Sequence, residues 1–195
     1  IENAESVLQL DPTTRDRTKK EIFSAAYIEA IEDRRITDEE MQHLRNLCTG
    51  LGISESEVRE EMTMVEDIAA AQRLELPFPA LPKDRLPVNI QKSEEAYYQC
   101  PAQVLTRRKS RKSDSGYTYR VKRDGPLVLT QKRLLVVDEG TTSIRYNDLA
   151  DVEYDIDLEL ITISKQTSSR PVFLKTRRPV YTARAIDLLA DAATG

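Results

Sequence analysis

Gly125-Pro-Leu-Val-Leu-Thr-Gln-Lys-Arg-Leu-Leu-Val-Val137 is the stretch on which the reading of this chain turns. Further aliphatic and β-branched runs follow it, at Ile144-Arg-Tyr-Asn-Asp-Leu149, Leu160-Ile-Thr-Ile-Ser164 and Val172-Phe-Leu-Lys175. Turn chemistry separates them, at Asp124-Gly125, Asp138-Glu-Gly140 and Gln166-Thr-Ser-Ser169. Leu127 and Leu129 alternate with Val128 and Thr130, and Ile161 and Ile163 with Thr162 and Ser164. Half-buried antiparallel strands read this way. Pro179 then opens a helical pattern through Val180, Ala183, Ile186 and Leu189. The expectation is a meander of strands closed by one C-terminal helix.

The front of the chain reads as helices. Asp11-Pro12 offers a helix start, and Ile22, Phe23, Ala26, Tyr27, Ala30 and Ile31 give that helix a broad apolar face. Thr37-Asp-Glu-Glu40 has the form of a capping box, ahead of Met41, Leu44, Leu47, Cys48 and Leu51, with Gly50 and Gly52 as the stop. Ser54-Glu-Ser-Glu57 reads as a second capping box, opening a helix on Val58, Met62, Val65 and Ile68. Residues 1–74 are therefore expected to form a small helical bundle. Residues 75–88 hold four of the nine prolines and read as a stiff linker, apolar enough at Leu76, Phe78, Leu81 and Leu86 to lie along a domain surface. Residues 89–195 make the second domain, with its first strand in Glu95-Ala-Tyr-Tyr-Gln-Cys-Pro-Ala-Gln-Val-Leu105. The fold class expected is α+β.

Charge divides the chain the same way. The net charge of −4 conceals −8 over residues 1–83 and +4 over 84–195. No apolar run approaches the roughly 18 residues a membrane-spanning helix needs. Cys48 and Cys100, in different domains, read as reduced thiols, which suits a cytoplasmic chain with any membrane attachment lying outside it. Ile1 in place of methionine suggests a piece of a longer protein.

Gly-x-Leu-x-Leu-Thr-x-Lys-Arg-Leu, from Gly125 to Leu134, followed by Ile144-x-Tyr146-x-Asp148-Leu149-x-Asp151-Val152, resembles bacterial pleckstrin-homology-like and GRAM-like domains. The resemblance covers about residues 89–195. It implies a small, partly open barrel with a helix over one end and a binding role without catalysis. Its motif residues look structural, with Thr130-Gln-Lys-Arg133 as a charged, solvated turn. Residues 18–70, with Gly50-Leu-Gly-Ile-Ser54, resemble TerB-like (tellurite-resistance B) domains, in which acidic side chains are proposed metal sites. Here Arg34 and Arg35 interrupt the acidic turn. The spacing of Ile36 and Glu40 also fits the back half of an EF-hand loop, but that alignment sets Ile31 at a ligand position and Arg34 where glycine is needed. Ile31 cannot ligate and Arg34 resists the sharp turn, so no metal is expected.

The strongest charge feature is a hairpin. Arg107, Arg108, Lys109, Arg111, Lys112, Arg120, Lys122 and Arg123 fall within seventeen positions, opposed by Asp114 alone. Strand alternation sets Arg120 and Lys122 on one face, and Tyr117 and Tyr119 offer rings for stacking. In pleckstrin-homology domains the matching hairpin binds anionic headgroups. The eight residues are therefore a candidate site for a lipid headgroup, a phosphate, a nucleic-acid backbone or an acidic protein surface. Alternatively, they are solvated charge that keeps a sheet edge from pairing. Nucleic acid is disfavoured by the overall acidity and the lack of a groove-reading helix or stacking platform.

Catalysis finds no support. His43 is the single histidine, set beside Met41 and Leu44 on a helix, and no phosphate loop, paired-cysteine zinc motif or nucleophile elbow occurs. The expected function is a non-catalytic adaptor module of a larger bacterial protein, without cofactor or metal, that binds a protein partner. The alternative is peripheral recognition of anionic lipid or phosphate through residues 107–123.

Overall fold

The computed structural model describes residues 11–110 and 116–194. They belong to two compact units, which meet in sequence between Gln72 and Arg73.

The first unit holds three helices, α1 (Pro12–Ile31), α2 (Asp38–Leu51) and α3 (Arg59–Gln72). Asp11 caps α1, its carboxylate accepting from Thr13 N and Thr14 N at 3.0 Å each. The Thr37–Glu40 capping box forms in both directions. Gly52 ends α2 at φ 65°, the left-handed value that favours glycine, with Ile53 N returning to Cys48 O at 2.9 Å. Phe23, Leu44, Val65 and Ile68 are buried where the helices meet.

Two local expectations need correcting. Ser54 and Glu57 do bond, Ser54 N and Oγ both donating to the carboxylate, but they close a turn; α3 begins later, at Arg59. Glu57 N donates to the Ser54 carbonyl oxygen at 3.0 Å, the bond of a turn. Arg34 takes φ 60°, the conformation held against it above. Left-handed backbone costs a non-glycine residue about 1 kcal/mol, and Asp33 Oδ1 helps hold the turn by accepting Arg35 N at 2.8 Å.

The second unit is a seven-stranded antiparallel sheet with one C-terminal helix. Its strands are β1 (Ala96–Lys109), β2 (Tyr117–Thr130), β3 (Arg133–Val137), β4 (Thr141–Arg145), β5 (Leu149–Asp155), β6 (Leu160–Lys165) and β7 (Ser168–Thr176), followed by α4 (Pro179–Thr194). The order is β4-β3-β2-β1-β7-β6-β5, so two meanders join through β1 and the sheet stays open between β4 and β5. This is the pleckstrin-homology-like arrangement, and with the helices of the first unit it makes the chain α+β. Leu127, Leu129, Leu134, Ile161, Ile163, Leu174 and Ile186 are fully buried in it.

Asp124-Gly125 does not break the chain. β2 runs straight through it, Ala102 facing Gly125 and Gln103 facing Asp124. Gly125 is needed for a different reason: a Cβ there would lie 1.8 Å from the Val137 carbonyl oxygen. Nor is the strand half-buried as its alternation suggested. Leu127, Val128, Leu129 and Thr130 are all at 0% exposure. Val128 joins Ala96 and Leu135 in a cluster that Leu81, Leu86, Val88 and Ile90 cover. The proline-rich segment thus packs on the sheet of the second unit, and Leu81 N donates to Ala96 O at 2.7 Å.

The Thr-x-Lys-Arg turn is also less solvated than the sequence implied. Glu94, buried, accepts from Arg133 Nε and Nη2 at 2.8 Å each and from Thr130 Oγ1 at 2.9 Å. The Arg133 guanidinium holds the Glu94 carboxyl down to about 2, against the pull of its own burial. This fork ties the approach to β1 onto the β2–β3 turn.

Candidate functional site

β1 pairs with both neighbours, but only as far as Leu105 on the β7 side. The β1–β7 ladder runs from Ala102↔Thr176 to Leu105↔Phe173 and stops, while β1 continues to Lys109 against β2. The same register would next set Thr106 against Val172 and Arg107 against Pro171, which has no N–H to donate. On the other flank of β7, Ile163 pairs with Val172 and Lys165 with Ser168. Ser169, Arg170 and Pro171 therefore bulge opposite the single residue Ser164. The β1–β2 and β6–β7 hairpins part company at this point.

Between them lies a cleft of about 620 Å³. Its polar lining is Thr106, Arg107, Lys122, Lys165, Arg170, Ser168 and Ser169; its apolar lining includes Val104, Leu105, Val172 and Phe173. Among the described residues no carboxylate lines it and none of the four cations is held in an ion pair. An anion entering here meets four positive charges and three hydroxyl groups, with no counter-charge in the lining among the described residues. Lys165 and Ser168 are half-buried, whereas Arg107, Lys122 and Arg170 stay exposed and reach an incoming charge through solvent.

Aromatic rings set the position of Arg107. Its guanidinium carbon stands 4.5 Å from the Tyr117 ring centroid and 5.2 Å from that of Phe173, and Tyr119 meets Phe173 edge-on at 5.2 Å. Leu105, Leu160 and Phe173 form a small buried cluster beneath, with Tyr119 packed against it. Ring faces attract a cation without consuming its N–H donors, so the guanidinium stays available to an incoming acid.

The sequence candidates do not all gather here. Arg107 and Lys122 line the cleft. Lys122 is the extra residue of a β-bulge, since Val104 faces Arg123 and Leu105 faces Val121. Arg108, Lys109 and Arg120 are exposed and do not line it. Arg123 lies elsewhere, its guanidinium about 3.1 Å from where a Cβ on Gly140 would stand, against the β3–β4 turn. Arg111 and Lys112 fall outside the described residues. Lys165, Ser168, Ser169 and Arg170 were missed, because the sequence shows them only as a polar turn some forty residues beyond the hairpin. The visible signal was Arg170-Pro171, a cation set beside a residue that cannot continue a ladder.

Elsewhere the titratable groups look structural. Both cysteines are free, and burial pushes each thiol up, away from the reactive thiolate. His43 is exposed on α2. No group of three or more His, Cys, Asp or Glu side chains among the described residues is arranged to hold a metal, and no helix among them is long and apolar enough to cross a membrane.

No model of a known protein family matches the chain, and no curated protein matches it either. Among solved structures it is similar to the Vps36 N-terminal PH domain, at 16% identity and a TM-score of 0.41, over 53% of this chain and 83% of that one. It is also similar to the linker-DH/PH domains of p115-RhoGEF, at 12% identity and a TM-score of 0.35, over 100% of this chain and 61% of that one.

Proposed function

We propose that this protein is a non-catalytic interaction module whose second unit holds an acidic partner protein in the cleft between the β1–β2 and β6–β7 hairpins. The observation that carries this reading is the lining: Arg107, Lys122, Lys165 and Arg170 converge with Ser168 and Ser169, and no acid among the described residues lines the cleft with them. The apolar floor at Leu105 and Phe173 suits a polypeptide, which brings side chains as well as charge.

The test compares cleft with tip. Polyglutamate and phosphatidylserine vesicles are titrated at low and high salt against the full chain and two variants. At roughly 1 kcal/mol per cation near an acidic surface, Lys165→Ser with Arg170→Ser weakens polyglutamate binding about 30-fold. Arg108→Ser with Lys109→Ser costs much less, because those side chains stand outside the cleft. Equal losses from the two pairs would reduce the cleft to diffuse attraction. Binding to vesicles but not to polyglutamate would move the partner to a membrane surface.

A further inference from the structure

The cleft has a feature beyond its charge. β1 lies between β2 and β7 from Ala102 to Leu105 and is an edge strand after it. Over Thr106–Lys109 it keeps β2 on one side, but among the described residues no strand pairs with it on the other. Successive residues of a strand point their N–H and C=O to opposite flanks, so two of these four residues present both groups to the cleft. The facing wall, Ser169-Arg170-Pro171, bulges in its pairing with β6 and has no ladder to β1: Arg170 N donates to Ser168 Oγ at 3.2 Å and Pro171 has no N–H. A strand rises about 3.4 Å per residue, so the free stretch extends over about 14 Å.

We propose that the cleft takes its ligand by strand addition: an extended acidic peptide lies antiparallel to Thr106–Lys109, in the line that β7 would occupy had its pairing continued. This rests on the reading of the cleft as an anion site and adds the class of ligand and its pose. Main-chain bonds to β1 supply affinity that does not depend on sequence. Selection for acid comes from the side chains. Arg107 stands ringed by Tyr117 and Phe173, Lys122 projects from its bulge, and Arg170 and Lys165 come from the far wall. A peptide with carboxylates on alternate residues meets cations, whereas a basic strand meets like charge.

The same arrangement accounts for how the edge survives without a partner. An open edge invites pairing with any strand, and positive charge along it repels most of them. Arg107, Arg108 and Lys109 fill three of the four free positions. The charges that guard the edge become attractive when the incoming strand is acidic, so protection and recognition come from the same side chains.

The probe is a short capped peptide of alternating aspartate and valine, titrated against the full chain, alongside the same peptide methylated on every amide. Methylation leaves the charge intact and removes every main-chain donor. Inorganic polyphosphate and phosphatidylserine vesicles supply anions without a strand. Strand addition predicts that the plain peptide binds at least tenfold more tightly than its methylated form. It also predicts that amide exchange slows at residues within Thr106–Lys109 when the plain peptide is added. Equal binding of the two peptides, or no change in exchange there, overturns strand addition while leaving an anion site. If peptide, polyphosphate and vesicles all fail to bind at low salt, the anion reading itself falls. Lys165→Glu with Arg170→Glu gives a second check, since neither residue lies on β1: the variant loses the plain peptide while keeping the exchange pattern of the free protein.

Discussion

Two small apolar clusters in the sheet of the second unit have different fates. Ala96, Val128 and Leu135 lie under Leu81, Leu86, Val88 and Ile90, contributed by the proline-rich segment. Among the described residues, Tyr119 is the one partly buried hydrophobic packed against Leu105, Leu160 and Phe173, and nearby Val121 is 53% exposed and Leu158 40% exposed. The first cluster is sealed by the chain's own backbone and the second is fringed by cations. Where the chain covers its sheet, the result is stability. Where it leaves the sheet open and charged, room remains for a partner. β2 carries both conditions within one strand: exposed at Arg120, Val121 and Lys122, buried on both faces from Leu127 to Thr130.

The largest expected effect tests the boundary between the two halves of β2. Gly125→Ala drives a methyl into the Val137 carbonyl. Because both atoms belong to paired strands, neither can yield cheaply, and a loss of about 3 kcal/mol is expected in urea unfolding. A loss under about 0.5 kcal/mol would mean that β2 and β3 do not approach as described.

Next comes the fork beneath the sealed cluster. Glu94→Gln removes the charge on which both Arg133 bonds depend, with about 2 kcal/mol lost at neutral pH. The folded carboxyl titrates at about 2 against 4.5 for the free group. The native contribution is therefore complete above the free value and is lost as pH falls toward the folded one. Stability measured from neutral pH into acid falls more steeply for the native chain than for Glu94→Gln. Parallel curves would detach Glu94 from the acid limb.

The smallest effect speaks to the comparison itself. Leu81→Ser with Leu86→Ser uncovers the sealed cluster and costs about 2 kcal/mol. Val121→Ser beside the open cluster costs less than about 0.5 kcal/mol, since its side chain is already wet. Equal costs would erase the distinction between a sealed and an open cluster.

Much of the fold was legible in the sequence because it rests on near neighbours. The Asp11 cap, the Thr37–Glu40 box, the Gly52 stop and the run of strands closed by α4 each depend on residues a few positions apart. The misreadings of the second unit lie where distant segments meet. Gly125 resembled a turn residue because its partner, the Val137 carbonyl, belongs to another strand. Val128 resembled an exposed alternate position because its cover comes from Leu81 and Leu86, some forty residues upstream. Arg133 resembled a solvated cation because Glu94 stands 39 residues away.

The candidate site follows the same division. The sequence determined that a basic hairpin exists and that a chain of this charge and patterning builds a meander with a capping helix. Periodicity, caps and local charge density are read over a few residues, and they survive whatever the rest of the chain does. The tertiary structure decided which cations share a cleft. Arg107 and Lys122 join Lys165 and Arg170 because the β1–β7 ladder stops at Leu105↔Phe173, two steps short of the register at which Pro171 has no hydrogen to give. Where a ladder ends depends on two strands more than sixty residues apart in sequence, and neither strand's own residues state the position of the other.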